Sequence, residues 1–170
     1  MSNFREIKPT EITENPFKLI GTDWMLVTAE EKGKCNMMTA SWGGVGIMWN
    51  KPVAFTFIRP QRYTFGMLEN EEYYSLCVLE DGYKDVLKLC GTKSGCDIDK
   101  VKETGLTVEH IDGVPYFSQS KLVLICKKLY AQDLNAESLI EKSLSGNYNA
   151  EGTDWHKMYI NEIVKVLVKD

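Results

Sequence analysis

Strand-like runs of β-branched and aromatic residues follow one another along this chain, with few helical patterns between them. These runs are "DWMLVTA" (Asp23 to Ala29), "CNMMTASW" (35–42), "VAFTFI" (Val53 to Ile58), "YSLCVLE" (74–80), "KLVLICKKLYAQDL" (121–134) and "HKMYINEIVKVLVK" (156–169). The segment 106–120 adds a predicted hairpin with "DG" at its turn, and Gly33 marks another turn. Because parallel strands need long crossover connections, this order favours a mainly β, antiparallel barrel over a doubly wound parallel sheet.

Short helices are predicted around this sheet from apolar spacing and from residues that begin or end helices. Their sequences are "PFKLIG" (16–21), "YTFGMLENEEYY" (63–74), "YKDVLKLC" (83–90), "DIDKVKETG" (97–105) and "NAESLIEKSL" (135–144). We expect Thr64 to cap the second helix, and Asp97 or Asp99 to begin the fourth, which Gly105 ends.

Length and charge exclude several classes of protein. The 170 residues contain no obvious linker, so we treat 1–170 as a single domain. A net charge of -4 would not attract nucleic acid or an anionic membrane, so any site for an anion must be local. No apolar run approaches the roughly 18 residues that span a bilayer, and the first residues lack the apolar core of a secretory signal. We therefore expect a cytoplasmic protein.

The cysteines and histidines form no recognisable metal site. The chain has five cysteines, without a C-x-x-C pair, and these are expected to be reduced thiols in or near the core. Only His110 and His156 are present, which is too few for a histidine-based metal cluster. His110 is expected at the surface. His156 follows Trp155 at the start of the last strand, which leaves a proton-handling role open.

The sequence "RPQRYT" (59–64) sets two arginines around a proline directly after an apolar strand. Pro60 stiffens the corner, and Thr64 adds a hydroxyl where a helix begins. Free N–H groups at a helix N-terminus favour negative charge, and the planar guanidinium of arginine suits phosphate oxygens. A single phosphomonoester is therefore a sensible ligand, whereas two solvated surface arginines are the alternative.

Two further segments supply polar groups. In "NMMTASWGGVG" (36–46), Thr39 and Ser41 point to one side of an extended chain, beside Trp42, where they could contact a flat heterocycle. The glycines that follow leave backbone N–H groups open to close approach, although an ordinary strand with a tight bend would look the same. In "GTKSG" (91–95), Lys93 and Ser94 could bind the same anion, or could lie in a solvated loop.

Four of these segments, taken in order, resemble the flavin reductase-like family of FMN-binding split β-barrels, which includes the flavoredoxins. The matching pieces are "NMMTASW", "RPQRYT", "GTKSGCDIDK" and "WHKMYINEIV", and the resemblance covers most of residues 15–168. It implies an antiparallel Greek-key split β-barrel with a few short peripheral helices, which works as a homodimer with FMN near the subunit interface. The sequence departs from the family at Asn161, where glycine is usual.

The resemblance also implies roles for individual residues. Thr39, Ala40, Ser41 and Trp42 are expected along the flavin ring and ribityl chain, and Asn36 and Met38 are also expected to bind the cofactor. Arg59, Arg62, Tyr63 and Thr64 are expected at the phosphate, with Lys93 and Ser94 completing that end. His156 matches a position near the nicotinamide side of the flavin and is the candidate catalytic residue.

The activity that the resemblance implies is an FMN-dependent oxidoreductase. NAD(P)H would be a transient substrate, and a flavin, a small molecule or a redox partner protein would be the electron acceptor. One alternative is a flavoredoxin-like electron-transfer protein without intrinsic NAD(P)H activity. A second is a barrel that binds another ligand, such as haem, without catalysis. A third, a purely structural dimer, does not explain why the cations Arg59, Arg62 and Lys93 gather with hydroxyl groups.

Overall fold

Antiparallel pairing joins most strands of the protein into one curved sheet. The computed structural model describes residues 3–170. The strands are β1 (Phe4–Ile7), β2 (Met25–Glu31), β3 (Lys34–Ala40), β4 (Gly43–Met48), β5 (Lys51–Ile58), β6 (Tyr73–Leu79), β7 (Val108–Ile111), β8 (Val114–Phe117), β9 (Ser120–Asp133) and β10 (Lys157–Lys169). The sheet has the order β3-β2-β6-β9-β10-β5-β4, with β1 paired to β10 and with β7 and β8 forming a separate hairpin.

The long strands β9 and β10 make the sheet curl into a barrel. The first half of β10 pairs with β5 and its second half with β1, while β9 runs along its other edge. Register shifts at Ile160/Asn161 and Ile163/Lys165 mark irregularities of the kind that bend a strand. The two ends of the sheet, β3 and β4, follow each other in sequence without pairing in the sheet path of the described residues. The predicted mainly β, antiparallel split-barrel architecture is thus confirmed.

Two apolar layers hold this sheet. One fills the barrel and takes residues from β2, β3, β5, β6, β9, β10 and the helix that follows β5, such as Val27, Leu68 and Tyr74. The other lies between the outer face of the sheet and the elements packed on it, including Leu87, Cys90 and Phe117. The strands between these layers are apolar on both faces, which is why their sequences read as nearly continuous apolar runs.

Three hairpin turns use pairs of residues with positive φ. These pairs are Lys32–Gly33, Trp49–Asn50 and Asp112–Gly113. Two successive residues with positive φ form the type I′ turn, whose twist matches that of the paired strands. The predicted turns at Gly33 and at "DG" are confirmed.

The α-helices are short and lie in the connections between strands. They are α1 (Pro16–Lys18), α2 (Tyr63–Asn70), α3 (Lys84–Thr92) and α4 (Lys100–Thr104). Asn15 caps α1 by accepting a hydrogen bond of 2.9 Å from the Phe17 N–H. Asp99 caps α4 by accepting one of 3.1 Å from the Lys102 N–H. Gly105 ends α4 in the left-handed conformation, as predicted.

The structure corrects three predictions about local structure. The N-cap of α2 is Arg62, so Thr64 lies inside the helix and does not cap it. Tyr73 begins β6 and does not extend α2. The glycine-rich run after Trp42 forms β4, whose backbone pairs with β5 and is not an open bend.

The predicted helix at 135–144 is wrong. This segment is a loop that ends in a 3-10 helix at Lys142–Asn147. Its apolar side chains find no core, since Ile140 is 96% exposed and Leu144 is exposed as well. A helix this short gains its stability from packing an apolar face, so the loop form follows.

All five cysteines are free thiols, as expected. Cys77, Cys90 and Cys126 are buried, Cys35 is half-buried and Cys96 is exposed. Burial raises the pKa of Cys35 to about 12 and the pKa of Cys90 to about 11. In the part of the chain that the structure describes, no helix is long and apolar enough to cross a membrane.

Candidate functional site

A cavity of about 160 Å³ opens where β3 and β5 end beside the start of β10. We name it the Trp42 cavity. It is lined by Met38, Thr39, Ala40, Ser41, Trp42, Phe57, Arg59, Arg62 and His156. The structure therefore brings together side chains from three distant stretches of sequence that the sequence analysis singled out.

A second cavity of about 110 Å³ adjoins the first, and we name it the Lys93 cavity. It is lined by Met38, Gln61, Arg62, Tyr63, Thr64, Thr92, Lys93, Ser94, Gly95 and Lys100. Met38 and Arg62 belong to both cavities, so the two are neighbours. Among residues 3–170, the lining of the Lys93 cavity includes cationic side chains and no acidic one. The cavity is therefore a local site for an anion on a protein of negative net charge.

The segment that we call the loop 91–95 begins in the last turn of α3 and lies tightly against β3 and α2, because it carries two glycines. A Cβ on Gly95 would lie 2.7 Å from the Tyr63 ring and would also meet the Asn36 side chain. A Cβ on Gly91 would lie 3.3 Å from the Thr39 Cβ. Glycine is therefore required at position 95 for the loop to close one wall of the Lys93 cavity.

The two arginines of the proline corner point to different parts of the site. Arg62 donates a hydrogen bond of 2.9 Å from Nη1 to the Gly91 carbonyl, which ties the corner to the loop 91–95. Arg59 forms an ion pair with Asp154 and donates a hydrogen bond of 2.8 Å to the Asn147 carbonyl. Arg59 thus binds the loop before β10, although both guanidinium groups still line the Trp42 cavity.

The start of α2 adds backbone donors to the Lys93 cavity. The first N–H groups of a helix have no partner within the helix, and those of Tyr63 and Thr64 are at this position. Lys34 donates a hydrogen bond of 3.1 Å to the Tyr63 hydroxyl and lies over the same ring. Another positive charge therefore lies beside this wall.

Several polar side chains near the two cavities bind other parts of the protein and thereby hold the site in shape. Asn36 is buried and donates a hydrogen bond of 2.8 Å to the Thr64 hydroxyl, so it lies behind the cavities and lines neither. The Thr39 hydroxyl donates to the Leu87 carbonyl at 2.5 Å, which joins β3 to α3. The Ser94 hydroxyl accepts a hydrogen bond of 3.1 Å from the Cys96 N–H.

His156 is 7% exposed and lies in a cluster of aromatic rings. Its Nδ1 shares a hydrogen bond of 3.1 Å with the Tyr148 hydroxyl, and its ring centre lies 5.2 Å from that of Trp42. Burial lowers the pKa of His156 to about 4, and the positive charge of Arg59 contributes. The imidazole is therefore neutral at pH 7.

Asn161, where the sequence departs from the family ending, lies inside the barrel. It is fully buried, and its Nδ2 donates hydrogen bonds of 3.0 Å to the Ala54 carbonyl and 3.2 Å to the Thr56 hydroxyl. It lines neither cavity, so it does not narrow them directly.

Sequence reasoning missed three residues of this site. Asp154 and Tyr148 belong to the loop before β10, where no periodicity or motif marks them. The one sequence feature that could have pointed to them is that they lie within eight residues of His156. Lys100 lies in "GTKSGCDIDK", but a helix of five residues is too short for its inward face to be read from the sequence.

Comparisons with known proteins agree with this architecture. The family model described as "Flavin reductase like domain" matches residues 17–170. No curated protein matches the chain.

Solved structures with the same fold come from several sources. An FMN-binding domain of a flavin reductases-like enzyme from Shewanella baltica OS155 is 16% identical, with a TM-score of 0.71 over 99% of this chain and 78% of that chain. Flavoredoxin from Methanosarcina acetivorans is 18% identical, with a TM-score of 0.70 over 96% and 77%. An NADH:FAD oxidoreductase from Streptomyces globisporus C-1027 is 14% identical, with a TM-score of 0.62 over 85% and 74%. Identities this low show a shared fold only.

Proposed function

The chain belongs to the flavin reductase-like domain family, and on this premise we propose that it is an FMN-dependent oxidoreductase that takes electrons from NAD(P)H. One observation carries the proposal: a cavity lined by cationic side chains adjoins an aromatic cavity, and most of the residues expected to hold FMN line one or both of them. Among the structures of the same fold, the Shewanella baltica domain is described as FMN-binding. Bound FMN would supply the hydride-accepting and electron-transferring chemistry.

The donor set fits the phosphate end of FMN. Arg62, Lys93 and Ser94 offer charged or hydroxyl donors, and the first N–H groups of α2 add backbone donors. A hydrogen bond to a charged group contributes about 1.5–3 kcal/mol net. A few of them amount to a useful share of the roughly 8 kcal/mol that corresponds to micromolar affinity.

The Trp42 cavity fits the other end of the cofactor. Trp42 and Phe57 supply flat apolar surface for a ring, and Ser41 supplies a hydroxyl at its edge. His156 would face the ring as a neutral group, so its role is to orient a reactant or hold a proton and not to provide a fixed charge. Arg59 would act mainly by holding the loop 147–156 in place through Asp154 and the Asn147 carbonyl.

The second candidate is an FMN electron-transfer protein without intrinsic NAD(P)H activity. The crowding beside the Trp42 cavity favours it. The rings of Trp42 and Tyr148 lie 5.2 Å and 5.5 Å from His156, which leaves limited room for a second substrate on that side. In this case a redox partner protein would deliver and receive the electrons.

We further propose that residues 1–170 form one domain that works as a cytoplasmic homodimer. The apolar side chains of β4 support dimerisation, since Val45 and Ile47 are exposed there and Val45 lines a shallow apolar cavity with Phe17 and Trp42. A contiguous apolar patch on a folded protein is typical of an interaction surface. Five cysteines without a disulfide suit a reducing compartment.

An anaerobic visible spectrum of the purified protein, reconstituted with FMN, tests the proposal. We expect a flavin spectrum that bleaches rapidly on stopped-flow mixing with NADH or NADPH. A flavin spectrum that does not bleach with either nucleotide would support the electron-transfer protein. A haem spectrum, or no binding of FMN, would contradict both.

A further inference from the structure

Lys100 is a charged side chain enclosed within the wall of the Lys93 cavity. It is the first residue of α4 and is 4% exposed. Its Nζ donates hydrogen bonds of 2.9 Å to the Met37 carbonyl and 2.8 Å to the Cys90 carbonyl. Buried ammonium groups are normally paired with a carboxylate, because removing an unpaired charge from water is costly.

In the described residues 3–170, Lys100 has no such partner. None of the ion pairs of this part of the chain includes it, and no acidic residue lines the Lys93 cavity. The charged and titratable groups that act on it are the Cys90 thiol and the Arg62 guanidinium. Burial, together with this guanidinium, lowers the pKa of Lys100.

The end of α3 compensates these cations only in part. Lys100 binds the Cys90 carbonyl, and Arg62 binds the next one, that of Gly91. Both carbonyls belong to the last turn of α3, where the helix dipole is negative. The partial negative charge at the end of a helix is about half an elementary charge. Two full positive charges next to it therefore leave a surplus of positive charge.

One N–H donor of Lys100 has no acceptor among the described residues. An ammonium group has three N–H donors, and two of them are used by the Met37 and Cys90 carbonyls. Because Lys100 also lines the Lys93 cavity, a ligand in that cavity can accept the third. By contrast, Lys93 is exposed to solvent, where an ion pair contributes little.

We infer that Lys100 is the buried cation of the phosphate site, and that a phosphate group in the Lys93 cavity completes its hydrogen bonding and neutralises its charge. The inference rests on the proposed function in so far as FMN supplies that phosphate. It deepens the proposal by assigning the phosphate selectivity to a lysine that has no exposed surface of note. It also couples phosphate binding to stability, since the same group joins β3, α3 and α4.

The test compares the wild type with Lys100→Met and with Lys102→Met, an exposed lysine of the same helix. Two ligands, FMN and riboflavin, are titrated by flavin fluorescence, since riboflavin lacks only the phosphate. We expect Lys100→Met to weaken FMN binding by about 10- to 100-fold, which is the range for one hydrogen bond to a charged group. Riboflavin binding and the Lys102→Met variant should be unchanged. An unchanged ratio of FMN to riboflavin affinity in Lys100→Met would overturn the inference.

A second measurement separates this inference from the proposed function. Inorganic phosphate should raise the Tm of the wild type and of Lys102→Met, but not that of Lys100→Met. If phosphate acts in this way while FMN does not bind, the proposed cofactor is wrong and the anion site stands. If phosphate leaves the Tm of the wild type unchanged, the inference fails even where FMN binds.

A third variant guards against a folding defect. Lys100→Gln keeps amide donors for the two carbonyls and removes the charge. We expect it to fold and to lose the phosphate-induced rise in Tm, as Lys100→Met does. A purely structural role for Lys100 predicts the opposite: Lys100→Gln would keep that rise in full.

Discussion

At the scale of single residues, the proline corner separates two arginines that look equivalent in the sequence. Arg62 reaches the loop 91–95, whereas Arg59 is neutralised by Asp154. The sequence predicts that both are cationic residues at a corner, but not which partner each one finds, because those partners lie in loops without a periodic pattern. The buried Lys100 is missed for another reason, because its helix α4 has only five residues and its inward face cannot be read from the sequence.

We expect Arg62→Ala to weaken FMN binding by about 10- to 100-fold, because it removes a charged donor from the Lys93 cavity. Arg59→Ala should weaken FMN binding less and lower the stability more, since it leaves the buried Asp154 carboxylate without its charged partner. The double variant should fold but purify without flavin. Flavin fluorescence and thermal unfolding measure the two effects. A double variant with full yellow colour would remove both arginines from the site.

His156 gives the stability a defined dependence on pH. Its folded-state pKa of about 4 lies below the ordinary value of 6.5, so the unfolded chain binds a proton before the folded chain does. The contribution of the neutral imidazole is therefore complete above pH 6.5 and is lost as the pH falls toward about 4. The free energy of unfolding of the wild type and of His156→Gln is measured in urea, both above pH 6.5 and between pH 6.5 and about 4. The change in their difference gives the contribution of His156. A difference between them that does not change with pH would contradict the prediction.

His156→Ala should retain FMN and slow the oxidation of NAD(P)H, because the residue lines the Trp42 cavity and does not line the Lys93 cavity. Stopped-flow reduction of the reconstituted variant is the measurement. An unchanged rate would exclude His156 from the mechanism.

At the scale of elements, the strands are predicted well where burial on both faces makes the apolar run continuous. The glycine-rich β4 was missed, because glycine carries no side chain for a pattern and its pairing with β5 is set by the turn at Trp49–Asn50. The false helix at 135–144 has helix-forming residues but no surface to pack on. In both cases tertiary contacts decide what local preference leaves open.

We expect Gly95→Ala to lower stability by about 1–3 kcal/mol and to weaken FMN binding, since the new methyl group forces the loop 91–95 away from α2. Gly66→Ala is the matched control in α2, where a Cβ meets nothing within 4 Å. Glycine in the middle of a helix costs about 0.5–1 kcal/mol relative to alanine, so this control should gain stability. Urea unfolding compares the two. A stable Gly95→Ala variant with normal FMN affinity would show that the loop need not fit so closely.

At the scale of the whole molecule, the succession of strands predicts the antiparallel class, whereas the split-barrel architecture came from the family resemblance. The order of the strands in the sheet is not written in any local pattern. It depends on which apolar faces meet across the barrel, as where β6 enters between β2 and β9. The cavities form from this order, which is why their residues were predicted as separate segments and not as a surface.

The proposed homodimer depends on the apolar face of β4. We expect Ile47→Lys to convert the dimer to a monomer, because Ile47 is 71% exposed in that patch and a buried lysine there would be unpaired. Ile140→Lys is the control, since Ile140 is 96% exposed on the loop before β10. Light scattering after size-exclusion chromatography gives the mass of each. A wild type that elutes as a monomer would contradict the proposal.

The distribution of the thiols has a practical consequence. Four of the five cysteines are shielded or hard to ionise, whereas Cys96 is exposed and adjoins Gly95 in the wall of the Lys93 cavity. A maleimide dye should therefore attach at Cys96 without removal of the other cysteines, because the reaction requires a sulfur that the dye can reach. The fluorescence of the attached dye should then change when a ligand binds in the Lys93 cavity, and no residue of the protein has to be mutated for this assay.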